Sequence, residues 1–273
     1  MNEELKSNCM ECFGLCCVAL PFAKSADFPF DKKGGEPCKN LYSNHLCSIH
    51  DQLKDRGFNG CITYECFGAG QHVSQVLYEG RSWRECDERA EEMFSVFPIV
   101  QQLHEMLWYL KQALNLRETI PIQSNLLEIY NKTVKLTSKT PEEILDLDVP
   151  THRKLVNEHL VETSKLYRAA FINKTKKIKT SDYIGANLNG KDLRGEDLRG
   201  KLMIAANLKH SDLRKVDFIG ADLRDANFSG ANLNEALFLT QSQINSAKGD
   251  ARTKIPEYLD KPMHWLSLIK ISR

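Results

Sequence analysis

From residue 181 onward the sequence repeats every five residues, and this period limits the fold more than any other feature. The repeat runs through twelve consecutive pentapeptides, each with a bulky apolar residue at its centre. A period of five matches neither the 3.6-residue turn of an α-helix nor the two-residue alternation of a β-strand. We therefore expect a solenoid, whose backbone geometry recurs once in each repeat. The twelve central residues are Tyr183, Leu188, Leu193, Leu198, Met203, Leu208, Leu213, Phe218, Leu223, Phe228, Leu233 and Phe238.

The residues that precede each centre follow a rule as well. Two positions earlier the residue is small in most repeats, as at Ala186 and Ala226, which suits a narrow interior with one layer of large side chains and one of small ones. One position earlier it is mostly Asp or Asn, whose short side chains bind backbone amides in turns. Lys191, Glu196 and Lys201 break the small-residue rule. We expect this end of the solenoid to be wet or to contact the preceding helices.

These units resemble the pentapeptide-repeat family, whose repeating unit is A(D/N)LXX. The units ANLNG, ADLRD and ANLNE carry the resemblance, which covers residues 181–245. It implies a short right-handed quadrilateral β-helix with one pentapeptide on each face and about three coils, stacking to roughly 14 Å at the usual strand spacing. A solenoid needs its open ends covered. Residues 246–273 are expected to form a C-terminal cap or, as the resemblance implies, a dimerisation segment for a homodimer.

The cysteines are the second concentrated feature. Eight of the nine lie in the first 66 residues. The opening MNEELKSNCM has neither a basic start nor an apolar stretch, so we expect a cytoplasmic protein with no membrane contact. Clustered thiols in that compartment indicate metal or redox chemistry, because thiolates are soft ligands for zinc and iron–sulfur clusters. The predicted metal ligands are Cys9, Cys12, Cys16, Cys17, Cys38, Cys47, Cys61 and Cys66.

The ligand set within this group stays open at the level of sequence. Eight sulfurs suit two four-thiolate sites, or one iron–sulfur cluster and a structural zinc. His45 or His50 could each replace a thiolate, although a lone histidine is more often a surface or hydrogen-bonded group. The alternatives are buried structural thiols without metal and a redox-sensing disulfide that involves Cys16 or Cys17. Cys86, outside the cluster, is expected to lie in a helix and in the hydrophobic core.

The segments CMECFGLCC, PCKNL and HLCSIHDQLKDRGFNGC resemble the CxxCxxxCC cysteine-cluster family of zinc- or iron-chelating proteins. The resemblance covers residues 9–66 and rests on the order and local spacing of the cysteines. It implies a module that chelates zinc or iron. A related pattern occurs in an iron–sulfur protein that methylates flagellin lysines. The Arg-Pro pair that usually follows the C-x-I-Y segment in the family is replaced here by residues 51–56.

Between the cysteines and the repeats, apolar residues recur at helical spacing. The pattern from Arg81 to Leu116 predicts one or two long helices around Pro98. These apolar stripes are explained by the core of a helical domain and need no cofactor. Further helices are predicted at 122–138, 141–147 and 151–172.

The chain is therefore predicted to be multidomain. We expect a cysteine-rich metal-binding module at 1–79, an α-helical middle domain at 80–175, the pentapeptide-repeat β-helix at 181–245 and the cap or dimerisation segment at 246–273. The lysine-rich stretch 173–180 is expected to be a solvated linker.

The charge balance disfavours two functions. The chain carries 37 Lys and Arg against 36 Asp and Glu, so it lacks the overall basic charge that nucleic-acid binding favours. The repeats carry eight basic and nine acidic side chains. Some pentapeptide relatives resemble DNA in shape and charge and protect gyrase from quinolones, and this near-neutral, short repeat departs from that pattern.

We therefore expect a metal-binding pentapeptide-repeat protein that acts as a protein-interaction module for an unknown protein partner, and whether it is also an enzyme stays open. The second interpretation is an iron–sulfur or zinc enzyme acting on a protein or peptide substrate. The third is a redox or metal sensor. In each interpretation the cofactor is zinc or an iron–sulfur cluster.

Overall fold

The structure is a computed structural model, and it describes residues 3–171 and 183–266. The chain divides into two compact units, Met1–Val161 and Glu162–Arg273. The lysine-rich segment 173–180 and the last residues of the predicted cap, 267–273, lie outside the described residues. No helix in the described ranges combines the length and the apolar character needed to cross a membrane.

The cysteine-rich part of the first unit consists of loops and short helices. Two antiparallel single-residue bridges, Phe22 with Lys32 and Leu41 with Cys47, hold the loops together. A π-helical segment follows the third helix directly. The elements are α1 (Leu15–Val18), α2 (Asn59–Thr63), α3 (Ala69–Gln71) and the π-helix (His72–Leu77).

The long helix α4 (Asp87–Leu114) forms the centre of the first unit. Pro98 lies inside it and has no N–H to donate, which normally kinks or breaks a helix. The helix nevertheless continues as one element, because its apolar face is buried on both sides of the proline. Its buried apolar residues are Met93, Val96, Phe97, Val100, Leu103, Met106, Leu107, Trp108, Tyr109, Leu110 and Ala113.

Three further helices complete the helical middle region, which is confirmed. α4 packs against α5 (Gln123–Thr137) and α6 (Pro141–Leu145). A capping box fixes the start of α6, with Thr140 and Glu143 each bonding the other's backbone N–H. α7 (Val149–Arg168) begins at a later turn, and its last residues, 162–168, belong to the second unit.

The repeats of the second unit stack with a period of 20 residues. Parallel single-residue bridges join Asn187 to Asn207 and Asn207 to Asn227. Leu188 donates its backbone N–H to the carbonyl of Asn207 across 2.8 Å. Four pentapeptides therefore complete one coil of a β-helix segment. The coils are held by isolated bridges, and the described part of the chain contains no extended strand or sheet.

The repeat pattern assigns its interior correctly. All twelve predicted central residues are buried, and the most exposed of them, Leu188, is only 6% exposed. Where the small-residue rule is broken, Lys191 is exposed and Glu196 and Lys201 are half-buried. Arg168 in the last turn of α7 also donates to the carbonyl of Gly195 at 3.0 Å, so this end is partly exposed to solvent and partly in contact with the preceding helix.

Where Asp or Asn precedes a centre, it stabilises the corner that follows. The side-chain oxygen accepts the backbone N–H two residues later, at 3.3 Å from Asn187 to Asn189 and at 2.9 Å from Asp217 to Ile219. This bond satisfies an amide that the single bridges leave unpaired. The predicted role of these side chains is confirmed.

Residues after the last repeat fold against the final coil. α8 (Gln241–Ser246) is followed by further bridges to the coil, and α9 (Met263–Leu266) brings Trp265 back. Trp265 is 1% exposed, donates its indole N–H to the carbonyl of Ala247 at 3.0 Å and lies against Gly249. These contacts fit a cap, while dimerisation through this segment stays a prediction.

Candidate metal centre

All nine cysteines are free thiols, so no disulfide organises the first unit. Cys16 and Cys17 lie in α1 and Cys61 lies in α2, whereas the other predicted ligands lie in loops. α1 starts after Gly14, whose φ of 68° is left-handed. A Cβ there would lie 2.7 Å from a methyl group of Leu41, so only glycine allows the two segments to approach this closely.

We term Cys9, Cys12, Cys16 and Cys66 the core-side thiols, because three of the four contact the hydrophobic core. Cys12, Cys16 and Cys66 pack against the buried cluster. A Cβ added at Gly70 would lie 2.7 Å from the sulfur of Cys12 and 3.8 Å from that of Cys66, so both sulfurs occupy the space beside this glycine. The thiol of Cys9 interacts electrostatically with those of Cys66 and Cys12.

The other four, the loop-side thiols, gather where three loops meet. The side chains of Cys17 and Cys47 hydrogen-bond to each other, and the backbone N–H of Cys38 donates to the carbonyl of Cys17 at 2.9 Å. The bridge between Leu41 and Cys47 brings Cys47 beside the segment that follows Cys38. Cys61 interacts electrostatically with Cys38 and Cys47.

This crowding favours the protonated thiols when no cation is present. Burial is the main cause that raises the pKa of Cys12 and of Cys61 to about 11. The hydrogen bond with Cys16 is the main cause that raises the pKa of Cys17, and the bond with Cys47 opposes it; the hydrogen bond with Cys17 is the main cause that raises the pKa of Cys47. A bound cation reverses this balance, because it stabilises the thiolates that repel one another in its absence.

A buried lysine lies beside the loop-side thiols and was not foreseen from the sequence. Lys32 is 7% exposed, and its ammonium donates to the carbonyls of Val18, Lys33 and Glu36, each at 3.0 Å. Burial lowers its pKa, and the charges of Cys38 and other thiols oppose that shift. A lone lysine in a loop gives no periodic signal, so only the tertiary structure shows that it is buried.

Tyr64 lies among the core-side thiols, as Lys32 lies beside the loop-side thiols. Burial raises the pKa of its hydroxyl, and the neighbouring charges of Cys16, Cys66 and Cys12 raise it further. The hydroxyl of Ser7 lies 2.9 Å from the sulfur of Cys66. Polar groups that face metal-binding sulfurs orient the ligands and adjust their basicity.

His45 and His50 are the two histidines that the sequence offered as alternative ligands. The Nε2 atom of His45 lies 3.0 Å from the hydroxyl of Ser82, and its ring contacts Phe13 and Trp83. Burial lowers the pKa of His45. His50 is exposed at the start of a 3₁₀ turn (His50–Gln52). The contacts of the His45 ring are therefore with Ser82 and two aromatic rings, whereas His50 is held beside Cys47 by its backbone N–H.

The donor chemistry fits zinc or an iron–sulfur cluster, because eight soft sulfurs are gathered in one small region. In the described ranges, however, no three His, Cys, Asp or Glu side chains already surround a point that could hold an ion. The ligands would have to close around an ion as it binds. Metal binding at these residues stays a prediction.

Cys86 is one residue for which the sequence prediction was wrong. It precedes α4 as its N-cap residue and is half-buried, and its thiol lies 3.0 Å from a carboxylate oxygen of Glu88. Its backbone is extended, with φ −158°, at the point where the preceding turn ends and α4 begins.

The repeat region presents a second surface, on which three aspartates, Asp192, Asp212 and Asp222, each pair with the arginine two residues later in their own repeat. Asp192 and Arg194 approach to 2.7 Å, and Asp212 and Arg214 to 2.6 Å. Hydrogen bonds from these arginines lower the pKa of both aspartates. The ion pairs neutralise the acidic rows along the coils.

One face of the solenoid departs from this polar pattern. Ile184 and Leu202 are 51% and 49% exposed. They are neighbours in adjacent coils, because Tyr183 donates its backbone N–H to the carbonyl of Leu202 and Gly185 donates to that of Ile204. We term Ile184, Leu202 and Ile204 the apolar face.

The repeat geometry identifies the class of protein, and a comparison of sequences supports it. A family model for pentapeptide repeats matches residues 203–238 in 8 copies. The chain is also 56% identical over 268 residues to the uncharacterized protein YybG of Bacillus subtilis (strain 168), which covers 97% of this chain and 96% of that protein. The chain belongs to the same protein family as YybG.

Among solved structures, the chain is similar to a pentapeptide repeat protein from the thylakoid lumen of Arabidopsis thaliana. The two are 23% identical, and the match covers 28% of this chain and 68% of the other, with a TM-score of 0.15.

Proposed function

We propose that this pentapeptide-repeat protein binds metal through its N-terminal cysteines and presents its repeats to a protein partner. The observation that carries the proposal is the convergence of eight free thiols from loops and two short helices of the first unit. A loop-rich region of this size gains folding free energy from a metal that bridges its segments. The proposed ligands are Cys9, Cys12, Cys16, Cys17, Cys38, Cys47, Cys61 and Cys66.

A bound zinc would act as a structural crosslink between the segments, and an iron–sulfur cluster could add electron transfer. The protein's own residues do the positioning. Lys32 ties the carbonyls of Val18 and Glu36 together, so the loop between Cys17 and Cys38 is held in one shape. Tyr64 and Ser7 provide hydroxyl groups beside the core-side thiols.

Anaerobic purification of the full chain tests metal binding and identifies the metal. Elemental analysis and an absorbance spectrum are measured on the same sample. Colourless protein with stoichiometric zinc supports a structural site, and brown protein with broad absorbance in the violet supports a cluster. Protein purified from metal-replete cells without zinc or iron would contradict the proposal.

The apolar face supports the second half of the proposal. Exposed Ile184 and Leu202 interrupt a surface that otherwise carries Asp–Arg pairs, and the next coil returns to Asp222 and Arg224, paired at 2.6 Å. Contiguous apolar side chains with a polar rim are typical of protein interaction sites. Aspartates of the repeats pair with arginines of the same protein, whereas the phosphates of DNA are unpaired. This difference also argues against mimicry of DNA.

Site-specific photocrosslinking tests the interaction. A photoreactive residue is placed at Leu202 in the full chain in cells, and the matched control carries it at Asn189, which is exposed on another face. We expect a discrete protein adduct from position 202 and none from position 189. No adduct at 202, or the same adducts from both positions, would contradict an interaction through the apolar face.

A further inference from the structure

We propose that the eight thiols form two separate metal sites, one from the core-side thiols and one from the loop-side thiols, which meet at Cys16 and Cys17. This inference rests on the proposed metal-binding function. It adds how many metal centres the unit holds and which cysteines share each one. Order along the chain does not indicate this division. Of the eight proposed ligands, the first three and the last form one set, and the middle four form the other.

Helix geometry divides the central pair. Adjacent residues of an α-helix point about 100° apart. In α1, Cys16 therefore packs against the buried core cluster with Leu15 and Val18, whereas Cys17 hydrogen-bonds to Cys47 on the loop side. Their sulfurs are 4.0 Å apart, so the two sites would be neighbours.

The core-side set is held by contacts on three segments. Gly70 lies against both Cys12 and Cys66, and Tyr64 lies among Cys12, Cys16 and Cys66. The thiol of Cys9, which interacts more strongly with Cys66 than with the loop-side Cys47, completes four donors, which is the number that closes a tetrahedral zinc site.

The loop-side set has four donors as well and differs in its charge environment. Cys17, Cys38, Cys47 and Cys61 interact with one another, and the Lys32 ammonium interacts most strongly with Cys38 and Cys17 and least with Cys16 of the core-side set. Four thiolates around a divalent cation leave a net negative charge, which a buried ammonium offsets. The core-side set instead has neutral hydroxyl groups beside it, from Tyr64 and Ser7.

Partial removal of zinc from the wild-type full chain tests the partition without any mutation. The zinc-loaded protein is treated with limiting chelator, exposed thiols are alkylated, and the modified cysteines are identified by peptide mass spectrometry. We expect the four cysteines of one set to become reactive together while the other four stay protected. Alkylation spread across both sets at every stage would overturn the partition.

Paired substitutions provide the second measurement. Zinc per chain is determined by native mass spectrometry for the wild type, for C12S/C66S in the core-side set and for C38S/C61S in the loop-side set. We expect two zinc ions in the wild type and one in each double variant, with the remaining set still protected from alkylation. The control C86S should retain two, because Cys86 lies outside both sets.

The outcomes separate this inference from the proposed function. One zinc in the wild type, or loss of all zinc from either double variant while circular dichroism shows the fold retained, means a single shared centre and overturns the partition alone. A wild type that binds no metal overturns the proposed function and the partition with it.

Lys32 offers a test of the positioning role. In K32M we expect the loop-side cysteines to lose zinc to a chelator about tenfold more readily, with the core-side cysteines unchanged. The control K33M removes an exposed lysine whose side chain is 86% exposed and should alter neither set. An equal effect of K32M on both sets, or no effect, would show that Lys32 does not support the loop-side site.

Discussion

At the scale of single residues, the repeats contain backbone positions that suit glycine and are not always glycine. The residue two after each of the first eleven centres is left-handed, with φ of 66° at Gly190 and 62° at Gly200. Ala205 occupies the same position with φ 56°. An L side chain in this conformation costs about 1–2 kcal/mol, whereas glycine adopts it freely.

Ala205→Gly is therefore expected to stabilise the repeat region. The free energy gained by relieving backbone strain exceeds the cost of the larger conformational entropy of the unfolded chain. The free energy of unfolding should therefore rise by about 0.5–1 kcal/mol. Urea denaturation followed by circular dichroism measures the change. The matched control Ala206→Gly is one residue away but fully buried, and it should destabilise the protein. Equal destabilisation by both substitutions would show that the strain at 205 is absent.

Asp217 is a buried carboxyl group in the same region. It is 0% exposed, and burial raises its pKa to about 6, although the hydroxyl of Ser164, the N–H of Ile219 and the charge of Arg199 oppose the shift. Arg199 Nε lies 3.6 Å from one carboxylate oxygen. The negative charge of Asp197 acts in the same direction as burial.

Because the folded state holds this proton more tightly than the unfolded state, the free energy of unfolding should fall as the pH rises from about 4 to 6. The shift of about two pKa units corresponds to about 3 kcal/mol. Asp217→Asn should remove this slope, which denaturation curves at several pH values would measure. Asp222→Asn should leave the slope between pH 4 and 6 unchanged and act only below about pH 4, where it removes a rise of stability with pH, since a hydrogen bond from Arg224 lowers the pKa of Asp222. Parallel pH profiles for the wild type and Asp217→Asn would contradict the assignment.

At the scale of elements, the C-terminal segment depends on one side chain. Trp265 is 1% exposed and joins α9 to the carbonyl of Ala247. Trp265→Ala should cost about 3–5 kcal/mol, because it removes a large buried ring and a hydrogen bond. Thermal unfolding of Met263→Ala is the control, since Met263 is 79% exposed and its loss should cost less than about 0.5 kcal/mol. Equal midpoints for the two variants would show that the ring does not hold the segment.

Elements with a period were predictable from sequence, and elements without one were not. The five-residue spacing identified all twelve central residues because local geometry repeats with it. The helical stripe identified α4 but not its continuity through Pro98, which depends on burial at Phe97 and Val100. The bends and single bridges of the repeat coil follow from long-range stacking that no local pattern contains.

The candidate metal centre shows the same limit. The sequence indicated the eight cysteines from their density and spacing. It could not indicate which thiols are neighbours, because Cys66 reaches Cys12 through the close approach at Gly70. Nor could it indicate Lys32, since its burial depends on three carbonyl groups that the folded loop brings together.

At the scale of the whole molecule, each unit has an interior of its own. The first is built on α4 and the cluster around Phe97, and the second on the central residues of the repeats. The proposed metal lies entirely within the first. Its removal should therefore loosen the first unit and leave the second intact.

Hydrogen exchange measured by mass spectrometry on the zinc-loaded full chain, with and without excess chelator, tests the central claim most directly. We expect the chelator to speed deuterium uptake strongly in peptides from residues 9–66 and to leave peptides from 183–266 unchanged. Identical uptake in 9–66 with and without chelator would contradict the claim that these cysteines hold a metal that stabilises the first unit.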